Sequence, residues 1–407
     1  MVAGRESGGI DAMTSTRCCI AGGGPAGMML GLLLARAGIG VIVLEKHADF
    51  LCDFRGDTIH PSTMEVLHEL GLLAEFLKHP HTPTSRIALW LGDRLLQVAD
   101  FSHLPTQAKF IAMMPQWDFL NFIAAEAAKY SSFRLMMRAE ATSLTGTTGV
   151  MVQTPEGEIT IEAELVIAAD GRGSTLRGAA GLHVTDIGAP MDVLWMRLSR
   201  ASTDPPQTMG RIDAGKFMIA LDRGDYWQCA YVIPKGGISE IQKAGLPMLR
   251  TALAALMPHF ADRVAELKDW DDVKLLTVAV NRLTEWSRPG LLCIGDAAHA
   301  MSPVGGVGVN LAVQDAVAAA NILLPKFRAG TPSPDDLRAV QKRREPPTIR
   351  TQNMQVFLQK RIIAPVLSAA ATPRPPLPLL LMQWFPVLRR IPARLIGMGF
   401  QPEHITH

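Results

Sequence analysis

Two stretches of this sequence set residues capable of chemistry beside glycines that clear space for it. In GGGPAG, Gly22, Gly24 and Gly27 form a GxGxxG pattern after a short apolar run, and Glu45 closes the next apolar run downstream. In such a pattern the first glycine makes a tight turn, the second lets a pyrophosphate approach the backbone, and the third lets a helix pack on a strand. The acid that follows stands where it bonds a ribose hydroxyl. In CIGDAAHAMSPVGGVGVN, residues 293–310, an apolar strand ends at Asp296 and runs into a small-residue segment holding Pro303, Gly306 and Gly308. Small residues there leave room for a flat, charged group pressed against the backbone.

These residues need elements to hold them. Residues 18–21 predict a strand, a helix follows the glycine turn as far as Arg36, Gly38 stops it, and residues 41–44 predict a second strand ending at Glu45. The result is a βαβ unit, so residues 20–44, though nearly uncharged, are not a membrane span. The reading is a dinucleotide site with Gly22, Gly24, Pro25, Ala26, Gly27, Glu45 and Lys46 as its candidate contacts. LVIAADGRGSTLR runs a strand from Leu165 into Asp170 and Gly171, with Ser174 and Arg177 at the head of a helix. The 291–294 run is a third strand, and a helix is expected to begin near Asn310.

These three motifs, in this order, resemble the class A flavoprotein monooxygenases, the para-hydroxybenzoate hydroxylase-like family, over residues 18–321. The resemblance implies that the GxGxxG stretch holds the ADP part of FAD. It implies that the Asp170 stretch serves FAD and NAD(P)H, and that the Asp296 stretch holds the ribityl and ring end. Asp296 would then bond a sugar hydroxyl, and the helix opening at Gly308, Val309 and Asn310 would aim free N–H groups at the flavin, where a helix N-terminus favours negative charge. Pro303 and Gly306 belong to the same loop. Arg55 is placed to meet the FAD phosphates, and Gln116 is matched to a polar residue that reaches the flavin from a helix start. His60 precedes a helix near the expected flavin face; it is a candidate substrate contact or a loop histidine without a role. Ser62 and Glu65 suggest a capping box.

The implied activity is an FAD-dependent monooxygenase. NADH or NADPH reduces noncovalently bound FAD, oxygen adds to give a flavin hydroperoxide, and one oxygen atom passes to a small organic, most naturally aromatic, substrate. No catalytic base and no metal are assigned. A flavin-dependent halogenase or reductase of the same fold and a non-catalytic flavin-binding protein are the alternatives; no WxWxIP is present, WQCAYVIP having the wrong spacing.

The chain has 407 residues, with 40 Lys+Arg against 38 Asp+Glu, and this near-balance supplies no field to gather a nucleic acid. The five cysteines, Cys18, Cys19, Cys52, Cys229 and Cys293, include no CxxC pair and suggest neither zinc nor disulfides. A reduced, cytoplasmic monomer or homodimer without an integral membrane segment is expected.

The expected fold is α/β. A Rossmann-like FAD-binding domain (17–183 and 286–330) is interrupted by an antiparallel β-sheet substrate domain with helices (184–285), and a helical C-terminal region (331–407) follows. Residues 1–16 read as a flexible tail, with Met13 as the expected natural start. Period-2 alternation in 184–285 nominates Trp195, Met209, Met218, Tyr226 and Trp227 to line a pocket over the flavin or to fill a core. Prolines cut the last apolar stretch into pieces too short to span a bilayer. Its Arg389, Arg390 and Arg394 would suit a membrane surface, but packing against the sheet is the expectation.

Overall fold

A computed structural model describes residues 13–51, 58–205 and 209–407. Residues 1–12 and Arg55 therefore lie outside the described residues. The first strand, Met13–Ala21, already pairs with Gly157–Ala168 from Met13 onward, so residues 13–16 belong to the sheet and not to a tail.

The nucleotide-binding half is built on an eight-stranded sheet. Its parallel centre places Leu291–Cys293, Gly157–Ala168, Met13–Ala21, Val41–Glu45 and Phe133–Met137 side by side. Both faces are covered, so Cys18, Cys19, Ile20 and Val41 to Leu44 are buried without alternation, as a parallel sheet requires. The helix Pro25–Arg36 packs on it and against the long helix Gly308–Ala329. Among the described residues that second helix is the one apolar enough and long enough to cross a membrane, yet 83% of its apolar window is buried inside the fold. It is a core helix.

The second large sheet has seven strands. Lys274–Leu276, Met191–Ser199, Tyr226–Pro234, Lys216–Asp222 and Met209–Asp213 run antiparallel in that order, as the alternation predicts. Two further strands, Arg86–Leu91 and Arg94–Asp100, join from a point about a hundred residues upstream, the first of them parallel to Met209–Asp213. The expected boundary at 184 thus divides a sheet that draws on both sides of it. Val184–Asp186 also leaves this sheet, pairing instead with Asn281–Leu283 in a separate three-stranded sheet.

One face of the seven-stranded sheet packs on the helix Leu246–Leu256 and on Phe260 and Leu267, burying Met209, Met218, Trp227 and Tyr231. The opposite face carries Val193, Trp195, Phe217, Ile219, Leu221, Ala230 and Val232. The C-terminal region is helical over Pro334–Leu358, Ala364–Leu367, Leu377–Trp384 and Arg390–Gly397, with a π-helical turn at Gln359–Ile363.

Candidate functional site

A continuous cavity of about 750 Å³ runs between the two large sheets, within the size range of small-molecule and cofactor sites. At one end it is lined by Gly22, Gly24, Pro25, Ala26, Glu45 and Lys46. In its middle it meets Gln116, Asp170, Arg172, Asp296, Pro303, Gly306, Gly308 and Val309. At the far end its walls are apolar, with Ile87, Val193, Trp195, Phe217, Ile219 and Leu276 from the sheet and Ile362, Ile363 and Val366 from the C-terminal helices.

The glycine turn divides into positions the fold needs and positions it does not. Gly22 has φ +109°, and a Cβ there would overlap the Ala169 backbone. A Cβ at Gly27 would overlap the Gly22 carbonyl oxygen, so Gly27 is required for helix and turn to pack. Gly24 has φ −73° and Gly308 begins a helix; a Cβ at either would meet no protein atom within 4 Å. Neither the backbone nor the packing explains these two glycines. Both line the cavity, and the space a Cβ would take there is open to it.

Glu45 ends its strand with one carboxylate oxygen accepting from Gly23 N–H at 3.0 Å and the other from His47 N–H at 3.0 Å. Asp170 accepts from Leu176 N–H at 3.3 Å through Oδ2, while its buried Oδ1 has no partner among the described residues. Asp296 faces Arg172, whose Nε donates to Oδ2 at 3.1 Å. Asp296 neither caps a helix nor bonds His299. The helix Gly308–Ala329 has no side-chain cap at its start, and Gly308 and Val309 line the cavity, so its positive end meets the cavity wall.

Several expected contacts sit one layer back. Asn310 is buried, and its Oδ1 accepts from Ser62 Oγ (2.7 Å) and Thr63 Oγ1 (2.6 Å), which pins the long helix to Pro61–Glu69. Its side chain is thus committed to the core. The Ser62–Glu65 capping box does not form: His60 is the N-cap residue, Pro61 follows it, and Glu65 instead accepts from Gln107 N–H. His60 is fully buried and does not line the cavity. Its Nδ1 donates to the Ile396 carbonyl at 2.8 Å, and Nε2 lies 3.2 Å from Thr58 Oγ1, so it supports cavity-lining Thr58 and Ile396 from behind. Burial pushes its pKa down from 6.5 to about 4. Of the sheet residues nominated for the pocket, Trp195 lines the cavity; Met209, Met218 and Trp227 pack on the outer helices, and Tyr226 stacks under the Arg197 guanidinium.

Some residues that build the site are not prominent in the sequence. Arg177 donates to the Arg172 and Ala297 carbonyls and so ties the Asp170 turn to the Asp296 turn. Asp315, completely buried, accepts from Gly295 N–H (3.0 Å), His299 Nε2 (2.6 Å) and Arg344 Nε (3.0 Å). Burial raises its pKa, but the His299 and Arg344 contacts outweigh that and hold the carboxyl below its ordinary value. Arg344 continues to Glu403, so the last residues of the chain are anchored to the turn that carries Asp296. Asp315 interrupts the apolar run LAVQDAVAAANILL, and a lone acid in such a run is a signal of a buried partner.

Residues 15–352 match the family model described as FAD binding domain. The chain belongs to the class A FAD-dependent monooxygenases. It is similar to 6-methylpretetramide 4-monooxygenase of Streptomyces rimosus, 31% identical over 385 residues and covering 92% of each chain. It is also similar to the uncharacterized aromatic compound monooxygenase YhjG of Bacillus subtilis strain 168, 27% identical over 328 residues, which are 79% of this chain and 64% of that one, so the chain spans less than two thirds of that relative. Among solved structures, the OxyS anhydrotetracycline hydroxylase from Streptomyces rimosus shares the fold, with a TM-score of 0.72, 24% identity and coverage of 94% of this chain and 76% of that one. For this FAD-dependent monooxygenase the open Gly24 and Gly308, the unpartnered Asp170 oxygen and the continuous cavity fit the cofactor.

Proposed function

We propose that this monooxygenase uses NADH or NADPH and oxygen to hydroxylate or epoxidise a neutral, polycyclic aromatic substrate held in the apolar chamber. The observation that carries the reading is the continuity of one cavity from the glycine turn to a chamber whose described lining includes no charged side chain. The charged lining residues, Glu45, Lys46, Asp170, Arg172 and Asp296 among them, belong to the nucleotide end and middle. A carboxylate substrate finds no counter-charge in the chamber, and burying it unpaired costs several kcal/mol. A flat, uncharged ring system does not face that cost. The relatives' printed substrates, 6-methylpretetramide and anhydrotetracycline, support the class.

In this reading Glu45 accepts from the adenosine ribose, Asp296 accepts from the sugar chain, and Gly24 and Gly308 leave the approach clear. FAD, when bound, supplies electron transfer from the nicotinamide and the activation of oxygen. The chain's own contribution is placement. The Gly308–Val309 helix start stabilises negative charge where it forms, and the apolar walls exclude water from the reacting atoms. The chain is proposed to act in the cytoplasm, its described cysteines being free and buried.

Anaerobic mixing of FAD-loaded protein with NADH or NADPH, with and without a polycyclic phenol such as 1,8-dihydroxyanthraquinone, tests the reading. Bleaching of the flavin band by one nicotinamide, faster with the phenol, is expected. A flavin that neither nicotinamide reduces under any condition would contradict it.

A further inference from the structure

The expectation that the last apolar stretch packs into the core holds on one side only. The helix Leu377–Trp384 has no buried residue, Trp384 and Phe385 are 70% and 56% exposed, and Leu377, Val387 and Ile391 are exposed beside them. An apolar face of this kind on a folded chain marks a contact surface. Its charge is equally one-sided. Residues 356–402 contain Lys360, Arg361, Arg374, Arg389, Arg390 and Arg394 and not one Asp or Glu, in a chain whose total is +2. Among the described residues, Asp213 is the acid hydrogen-bonded to this segment, through Thr372.

The same segment forms a wall of the cavity. Along Arg390–Gly397, Ala393 and Gly397 pack inward near Phe101 and Leu104 and Ile396 lines the cavity, while Arg390, Ile391 and Arg394 face outward. Ile362, in the π-helical turn, lines the cavity and is also exposed. The wall between the apolar chamber and this outer face is one helix thick.

We propose that this face lies on an anionic lipid bilayer, with Trp384, Phe385, Val387 and Ile391 entering the interface and Arg390 and Arg394 meeting lipid phosphates. Aromatic side chains backed by Arg and Lys are what a monotopic surface requires. A second copy of the chain is a poor occupant, because a twofold contact would set two cationic faces against each other. The chamber then opens beside the phase in which an uncharged polycycle concentrates. That consequence rests on the proposed function; the docking itself does not.

Flotation of the full chain with phosphatidylcholine vesicles, with and without phosphatidylglycerol, tests the docking. Binding to the anionic vesicles alone, weakened by added salt, is expected. R390Q/R394Q should weaken it by about fivefold per arginine. W384S/F385S should abolish it while FAD absorbance and melting temperature stay unchanged, since both side chains are exposed. Equal binding to both vesicle types, or binding to neither, would overturn the proposal. So would a dimer in solution that W384S/F385S dissociates in the absence of vesicle binding. Because flotation needs no substrate and no turnover, its failure is separate from failure of the oxygenase reading.

Discussion

Arg172 Nε donates to Asp296 Oδ2 at 3.1 Å, joining the turn after one parallel strand to the turn after its neighbour at the middle of the cavity. Both side chains keep partial exposure, at 24% and 34%, so the pair itself adds little to stability. Its importance is positional: it holds a carboxylate at the cavity surface with lone pairs to spare.

Asp296→Ala should therefore separate binding from folding. If Asp296 accepts from a sugar hydroxyl as proposed, losing that charged acceptor costs about 1.5–3 kcal/mol, a ten- to hundredfold fall in FAD affinity. The melting temperature of FAD-free protein should hardly move. Fluorescence titration with FAD and a thermal scan of the apoprotein check the two halves.

The glycines give a sharper contrast. Gly24→Ala and Gly308→Ala fill space no protein atom claims, so the apoprotein should fold and melt normally while FAD affinity drops at least tenfold. Gly27→Ala drives a Cβ into the Gly22 carbonyl and should lower the melting temperature of the apoprotein. Equal behaviour of the three variants would remove the distinction between glycines kept for packing and glycines kept for a ligand.

Much of the nucleotide end was legible in the sequence because its determinants are local. Glycine spacing, a strand, a helix and a terminal acid lie within residues 18–45, and the structure keeps them in that order. The chamber was harder to read. Both faces of the seven-stranded sheet are apolar, one against the helix Leu246–Leu256 and one against the cavity, so alternation could not tell Met218 and Trp227 from Phe217 and Ile219. The strands at 86–100 come from a distant part of the chain, and the Asp315–Arg344–Glu403 connection exists only after folding.

That buried connection is itself testable. Asp315→Asn removes the charge that Arg344 and His299 face in a fully buried setting, and breaking such a pair costs about 3–5 kcal/mol. A large drop in denaturant midpoint is expected, with slope unchanged. FAD affinity should fall as well, since Asp315 also accepts the Gly295 N–H beside Asp296.

His60 predicts a pH dependence. The unfolded chain takes up a proton near pH 6.5, but burial delays uptake in the folded chain to about pH 4. The stability supplied by the neutral ring is thus complete above pH 6.5 and is lost as pH falls from 6.5 to 4, by up to about 3 kcal/mol. The stability difference between wild type and His60→Asn, followed by urea unfolding across that window, should shrink toward acid.

In the chamber, Trp195 lines the cavity while its buried indole N–H has no partner among the described residues. Trp195→Phe should leave the melting temperature unchanged and weaken 1,8-dihydroxyanthraquinone, which offers carbonyl acceptors, by about fivefold, the worth of one hydrogen bond. Anthracene, which has no acceptor, should bind both forms alike. Equilibrium titration with the two ligands distinguishes these outcomes.

Isotope labelling shows whether one atom of molecular oxygen passes to an aromatic ring in the apolar chamber, as proposed. FAD-loaded protein, NAD(P)H and ¹⁸O₂ are combined with whichever polycyclic phenol most stimulates nicotinamide oxidation, and the product is weighed by mass spectrometry. A product carrying one labelled oxygen atom, formed in proportion to nicotinamide consumed, is expected. Nicotinamide oxidation that yields only peroxide, with no label in the organic product for any stimulating ligand, would contradict it.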